Sequence, residues 1–82
     1  MELWIRTQDK KHLMKCEAIM YEETGTGYGL RAFTKNYDFN IAGYETKERA
    51  IEVLDEIQTK INNIANVDDE NFINIVYQMP EK

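Results

Sequence analysis

Residues 46–65 have the sequence TKERAIEVLDEIQTKINNIA, and this stretch decides the fold. Its apolar residues recur at intervals of three and four, the spacing that places side chains on one face of an α-helix. They are Ala50, Ile51, Leu54, Ile57, Ile61, Ile64 and Ala65. Thr46 is a suitable N-cap, because its hydroxyl can accept a hydrogen bond from a free backbone N–H of the first turn. The pattern predicts one amphipathic helix over residues 47–65.

The segments on both sides of this helix have the alternation that is typical of β-strands. Strands are predicted over residues 3–7, 12–21, 28–35 and 37–44 before the helix, and over residues 72–79 after it. This ββββαβ order predicts an α+β fold, in which an antiparallel sheet of about five strands carries the amphipathic helix on one face. With 82 residues the chain is expected to form a single domain, residues 1–82.

The composition argues against most catalytic and metal sites. The chain has one Cys, one His and no Ser, which excludes an internal disulfide, a structural zinc site and a Ser-His-Asp triad. Cys16 and His12 lie four positions apart on a predicted strand, or about 13 Å, whereas a nucleophile and its base need about 3 Å. We therefore expect no enzyme, no catalytic residue, no cofactor and no metal. A single cysteine favours the reducing cytoplasm.

The charge is unevenly distributed and limits the classes of partner. The net charge is −5, and residues 50–82 carry seven acidic side chains against two lysines. Because the chain has no basic run, general nucleic-acid binding is not expected. No apolar stretch approaches the length that spans a membrane, so no membrane partner is expected either. The acidic run at residues 68–70 is interpreted as a solvated turn.

The glycine-rich segment at residues 25–29, GTGYG, superficially resembles a phosphate-binding loop. Such a loop needs a helix directly after it, because the N-terminal amides of that helix hold the phosphate. Here a strand pattern follows instead. The segment is therefore predicted to be a hairpin turn.

One helix can cover only one face of the predicted sheet, and the other face is not fully polar. Trp4 alternates with the apolar residues Leu3 and Ile5, and Phe33 follows Ala32 in the same kind of pattern. An uncovered aromatic face is typical of a partner surface, and the commonest partner is a second copy of the chain. The sequence therefore predicts self-association.

Five residues on that uncovered face are candidates for binding a ligand: Trp4, Arg6, Arg31, Phe33 and, at the margin, Lys35. Arginine side chains bind phosphates through paired N–H donors, and aromatic rings stack on bases. A dimer that brings two such sets together would enclose a small nucleotide. The alternative is that the aromatic residues form an interface core while the arginines make ion pairs at its rim.

Three segments resemble a family of small proteins from Firmicutes phages, prophages and mobile elements. They are residues 4–10 (WIRTQDK), 47–58 (KERAIEVLDEIQ) and 76–80 (VYQMP). Many members are longer between the helix and the last strand. Small phage proteins of this build include inhibitors of bacterial immunity, and the chain resembles the anti-Thoeris sponges that sequester cyclic nucleotides or cyclic ADP-ribose. This resemblance implies a homodimer or larger assembly in the host bacterial cytoplasm, binding without turnover, and contacts from arginine and aromatic side chains.

Two functions follow as hypotheses. In the first, a homo-oligomer sequesters a small anionic nucleotide that serves as an immune signal. In the second, the protein inhibits a host immune effector by direct protein–protein contact.

Overall fold

The computed structural model of the protein describes residues 2–65 and 74–82. In this part of the chain the elements are β1 (Glu2–Arg6), β2 (Leu13–Cys16), β3 (Ala18–Thr24), β4 (Gly27–Phe33), β5 (Asp38–Tyr44), α1 (Lys47–Ala65) and β6 (Asn74–Gln78). The expected α+β class is confirmed. The expected single sheet of about five strands is wrong, because the described strands form two sheets of three.

The first sheet has the strand order β2-β1-β6, and the second sheet has the order β3-β4-β5. The second sheet is antiparallel throughout, as predicted. In the first sheet β1 pairs antiparallel with β2 but parallel with β6, which corrects the expectation of a purely antiparallel arrangement. The physical reason is the long connection through α1, which lets β6 return beside β1 in the same direction. Residues 68–70 and the predicted start of the last strand at residues 72 and 73 lie outside the described residues.

The two sheets arise because the predicted strand over residues 12–21 bends at Glu17. The backbone N–H of Glu17 donates to the Phe33 carbonyl at 2.8 Å, while β2 before it pairs with β1 and β3 after it pairs with β4. The bend changes the phase of the alternation. Cys16 is buried, but Ala18 and Met20, which strict alternation places on the same face, are exposed.

The helix α1 has the predicted bounds, and its N-cap is confirmed because the Thr46 hydroxyl accepts from the Arg49 N–H at 3.1 Å. Its most deeply buried positions are Ala50, Val53 and Ile57. The predicted stripe omits Val53, which is fully buried and forms the centre of the packed face. The helix packs against β3, β4 and β5.

One core joins both sheets to the helix. Its buried apolar side chains come from β1, β2, β4, β5, α1 and the residue after β6: Ile5, Met14, Cys16, Leu30, Ala32, Ile41, Ala42, Tyr44, Ala50, Val53, Ile57 and Met79. A β-bulge between β4 and β5 contributes to it, because Ala42 opposes Leu30 and Asn40 opposes Arg31, so that Ile41 has no partner on β4. Burial of such side chains contributes about 25 cal/mol per Å² of apolar surface.

Gln8 links the end of β1 to the edge of β5. Its backbone N–H donates to the Ile41 carbonyl at 2.9 Å, and its side-chain amide both accepts from the Gly43 N–H and donates to the Gly43 carbonyl, each at 3.0 Å. The same amide nitrogen also lies within hydrogen-bond distance of the Pro80 and Glu81 carbonyls. The two sheets are thus connected at the Glu17 bend and again at Gln8.

Candidate functional site

The five residues predicted to bind a ligand lie on two different sheets. Trp4 and Arg6 lie on the outer face of β1, Arg31 and Phe33 lie on the outer face of β4, and Lys35 is exposed in the loop before β5. Within residues 2–65 and 74–82, no hydrogen bond, ion pair or ring contact joins one pair to the other. Each pair therefore forms a separate surface.

The outer face of the first sheet is open to solvent. We call it the Trp4 face, and it consists of Glu2, Trp4, Arg6, Leu13, Lys15, Val76 and Gln78. The register places Trp4 between Lys15 and Val76, where directly opposite side chains share one face of the sheet. Leu13 and Val76 are each 53% exposed. The half-buried Trp4 ring therefore lies in a surface that combines apolar side chains with two cations and the Glu2 carboxylate.

The two cations of the Trp4 face differ in their partners. Lys15 pairs with the Glu2 carboxylate at 3.1 Å, and the hydrogen bond and charge of Lys15 lower the pKa of Glu2. Arg6 instead donates from Nε and Nη2 to the Lys10 carbonyl, at 3.1 and 2.9 Å. A carbonyl fixes the guanidinium without neutralising it. Among the described residues no carboxylate lies within ion-pair distance of Arg6, so its charge is available to an anion.

The Lys10 carbonyl is positioned by the turn between β1 and β2. Lys10 has a φ of 67°, in the left-handed region that residues other than glycine rarely adopt. The turn is held by the Asp9 carboxylate, which accepts from the Thr7 hydroxyl and from the Lys11 N–H. These hydrogen bonds, the one to Thr7 foremost, lower the pKa of Asp9. The sequence identified this segment only as a polar turn.

Arg31 is bound by two carboxylates on the second sheet. Its Nε donates to Glu22 at 2.9 Å and its Nη1 donates to Asp38 at 3.1 Å, so it links β3 and β5 across β4. The hydrogen bond from Arg31, followed by the one from Asn40 at 3.0 Å, lowers the pKa of Glu22. One cation between two anions leaves a local charge of −1. A phosphate that approached Arg31 would be repelled by this negative charge. Arg31 therefore has the ion-pair role that the alternative hypothesis gives to the arginines.

Phe33 and Lys35 continue the same side of the second sheet. Phe33 lies in register with Ala18 of β3 and Asp38 of β5 and is half-buried. Lys35 is exposed in a turn that is closed by the Thr34 N–H, which donates to the Tyr37 carbonyl at 2.8 Å. Neither side chain is placed beside Trp4.

Lys15, Leu13 and Val76 belong to the Trp4 face, although the sequence interpretation did not select them. If the first two predicted strands are paired as a hairpin, Lys15 and Leu13 are expected beside β1. The sequence therefore contained a signal for these two residues. Val76 could not be found in this way, because its position depends on the parallel pairing of β6 with β1. Long-range pairing of this kind has no local sequence signature.

The second sheet has an open groove of about 900 Å³ at the end opposite Phe33. We call it the Gly43 groove. Gly27, Gly29 and Gly43 line it together with the Asn40 side chain, and α1 contributes Arg49. Its volume is within the range of small-molecule pockets. The sequence interpretation treated the glycines at residues 25–29 as a turn and did not predict this groove.

Tyr44 and the segment after β6 form one wall of the groove. The Tyr44 hydroxyl donates to the Pro80 carbonyl at 2.9 Å, and burial raises the pKa of Tyr44 to about 12, which keeps this donor protonated. Arg49 donates from Nε to the Lys82 carbonyl at 2.9 Å. The wall is therefore held by side chains from β5 and α1.

The described residues contain no cluster of three or more His, Cys, Asp or Glu side chains arranged to hold a metal ion. In the same part of the chain, no helix combines the length and apolar character needed to cross a membrane.

Known proteins provide no relative from which a function can be transferred. No protein-family model, no curated protein and no solved structure matches the chain. Kinship with phage anti-defence proteins therefore stays a prediction. The Trp4 face and the Gly43 groove are the features of the structure that bear on function.

Proposed function

We propose that the protein is a binding protein that sequesters a small anionic nucleotide on the Trp4 face, without turnover. One observation carries the proposal: an aromatic ring lies between cross-strand neighbours on an open sheet face, two positions from an arginine whose charge meets no carboxylate among the described residues. Bases stack on aromatic rings, and guanidinium groups bind phosphates through paired N–H donors.

Each side chain has a distinct role in this proposal. The Trp4 ring stacks on the base, and Arg6 contacts a phosphate from the position in which the Lys10 carbonyl holds it. Lys15 provides a second cation directly across from Trp4, although a phosphate competes with Glu2 for it. Arg31 and Phe33 are not part of this site, because Arg31 is already paired with Glu22 and Asp38.

The proposal includes a second copy of the chain across the Trp4 face. The exposed apolar side chains of Leu13 and Val76 would be buried by such a contact. Two apposed faces would bring their Arg6 guanidinium groups toward each other, and like charges repel. An anionic ligand between the copies removes this repulsion, so ligand binding and dimer formation should be coupled. A sponge of this kind needs no catalytic group.

The test is thermal unfolding and light scattering in the presence of cyclic ADP-ribose and of cyclic dinucleotides. A ligand at 100 times its Kd adds about 2.7 kcal/mol to stability, which is a shift of several degrees for a domain of this size. We expect one ligand to give this shift and to increase the mass to that of a dimer. Trp4→Ala should abolish both effects. Tyr37→Ala, which removes another exposed aromatic ring away from the Trp4 face, should retain them.

Two results would overturn the proposal. The first is a ligand that binds Trp4→Ala and the unaltered protein equally well, since this would remove the Trp4 face from the site. The second is the absence of any nucleotide effect on stability or mass. The second result would favour the other hypothesis, in which the same apolar and cationic face contacts a host immune effector directly.

A further inference from the structure

Gly43 has no structural reason to be glycine. It lies inside β5, it does not have a positive φ, and a Cβ atom built on it meets no atom of the described residues within 4 Å. Glycine in a strand interior is unfavourable, because it loses more conformational freedom on folding and offers no side chain to pack. A side chain at position 43 would occupy the Gly43 groove.

Gly29, directly opposite Gly43, is different. A Cβ at Gly29 would approach the Ala42 carbonyl and the Asn40 amide nitrogen to 3.0 Å each, so close packing favours glycine there. This close approach lets Asn40 reach over Gly29 and donate to Glu22 at 3.0 Å. The groove therefore has a polar wall over Gly29 and an empty floor over Gly43.

The charges that line the groove are balanced. Arg49 and Lys82 contribute two cations, and Glu45 and Glu81 contribute two anions. Arg49 is also paired with Glu52 and Glu56 on its own helix, and Glu81 is paired with Lys10 at 3.2 Å. The formal charges of this lining sum to zero, so the groove has no excess of cations to attract a free phosphate. This distinguishes the groove from the Trp4 face, where Arg6 meets no carboxylate within the described part of the chain.

The hydrogen-bonding groups of the groove suit a ligand with hydroxyl or amide groups. The Asn40 Nδ2 is engaged by Glu22, which turns the acceptor Oδ1 into the group available to a ligand. The Thr24 hydroxyl donates to the Gly27 carbonyl at 3.1 Å and accepts from the Thr26 N–H at 3.4 Å, which leaves one lone pair as an acceptor. Half-buried Tyr28 adds an aromatic ring at the same end. Polar groups around a floor without side chains complement a flat ring.

We propose that the Gly43 groove is a second binding site, which takes a flat ring of no net charge that carries hydroxyl or amide groups. Nucleosides carry such a ring in their bases, whereas sugars offer hydroxyl groups on a puckered ring. The ring lies on the peptide groups at Gly43, and the Asn40 amide oxygen and the threonine hydroxyls bond its edge. The site is independent of the Trp4 face, because it belongs to the other sheet and uses none of its residues.

The experiment is isothermal titration calorimetry of the unaltered protein with the four ribonucleosides and with glucose and ribose. Gly43→Ala and Gly43→Val fill the floor in two steps. Gly25→Val is the matched control, since Gly25 also has open space for a Cβ and no positive φ but does not line the groove. We expect at least one probe to bind, at least 10-fold weaker binding to Gly43→Val, and an intermediate loss for Gly43→Ala.

The melting temperatures separate loss of the site from loss of the fold. Because an ordinary side chain suits a strand better than glycine, both Gly43 variants should unfold at the same temperature as the unaltered protein or higher. The proposal is overturned if none of the probes binds at millimolar concentration, or if Gly43→Val binds as tightly as Gly25→Val. Which probes bind decides between a nucleoside and a sugar. Trp4→Ala should leave this binding unchanged, so failure of the groove and failure of the Trp4 face give different results.

Discussion

The outer faces of the two sheets each present an arginine, and the two arginines have opposite electrostatic surroundings. On the first sheet Arg6 is held by a backbone carbonyl, and its positive charge is not offset by a neighbouring carboxylate of the described residues. On the second sheet Arg31 is held by Glu22 and Asp38. Each of the two residues directly follows a buried apolar residue on its strand. The difference therefore comes from the cross-strand neighbours and not from the strand that carries the arginine.

This difference in electrostatic surroundings suits the two sheets to different roles. A carbonyl orients a guanidinium and leaves it able to bind an anion, which makes the first sheet suitable for phosphate recognition. Two carboxylates use the guanidinium to join three strands, which makes the second sheet a stable support for the neutral Gly43 groove. The chain could not use Arg31 in both ways, because the charges of Glu22 and Asp38 repel an anionic ligand.

Removing the link between the two sheets should have the largest effect on stability. Gln8→Leu leaves the Gly43 N–H, the Gly43 carbonyl and the Glu81 carbonyl without the partner that Gln8 provides. Water replaces part of these bonds, so we expect the free energy of unfolding to fall by about 1–3 kcal/mol. The measurement is urea unfolding followed by far-ultraviolet circular dichroism and by the fluorescence of Trp4, the single tryptophan, which reports on the first sheet.

Comparing the circular dichroism with the fluorescence of Trp4 gives this experiment a second result. We expect them to coincide in the unaltered protein and to separate in Gln8→Leu, because the first sheet should loosen before the second. Gln58→Leu is the control, since this glutamine is exposed on α1 and its side chain makes no hydrogen bond among the described residues. Equal destabilisation by both substitutions would mean that Gln8 does not join the sheets.

The next largest effect should distinguish the two arginines. Arg31→Met leaves Glu22 and Asp38 without their shared cation, and we expect the melting temperature at pH 7 to fall by a few degrees. Arg6→Met removes hydrogen bonds to one carbonyl and should lower it less. The pair is matched, because both substitutions replace a strand arginine on an outer sheet face with the same side chain.

The pH dependence identifies the cause. Arg31 lowers the pKa of Glu22 below its ordinary value of 4.5 in the folded protein. The resulting stabilisation is present above pH 4.5 and is lost as the pH falls through the lowered pKa. The difference in stability between the unaltered protein and Arg31→Met should therefore shrink on acidification below pH 4.5. The difference for Arg6→Met should stay constant, and a parallel decline in both would contradict the assignment.

Local signals in the sequence predicted the helix well. Its bounds follow from the apolar spacing and from Thr46, which both act within a turn or two of chain. The stripe omitted Val53, because the true centre of the buried face depends on where the second sheet lies against the helix. The strands before the helix were also placed to within a few residues by their alternation.

The division into two sheets could not be predicted, since nothing at Glu17 signals a bend. Glycine or proline usually mark such a point, and neither is present there. The same limit applies to the site residues. Trp4 and Arg31 were expected on one surface because alternation gives the face of a strand but not the sheet to which the strand belongs. The partners of Arg31 were within seven and nine residues along the chain, but only the strand register brings them to it.

The smallest effect concerns the turn that positions Arg6. Lys10→Gly removes a side chain from a residue with a φ of 67°, where glycine has no steric penalty. It also removes an exposed ion pair with Glu81, which contributes little. We expect the free energy of unfolding to rise by about 0.5–1 kcal/mol, as measured by urea denaturation.

The neighbouring substitution Lys11→Gly provides the comparison, because Lys11 has no positive φ and should only gain flexibility in the unfolded chain. It should therefore lower the stability slightly. Since Lys10→Gly retains the carbonyl that holds Arg6, nucleotide binding on the Trp4 face should be unchanged by it. A loss of stability in both variants would mean that the turn does not hold Lys10 in the left-handed conformation in which its carbonyl accepts from Arg6.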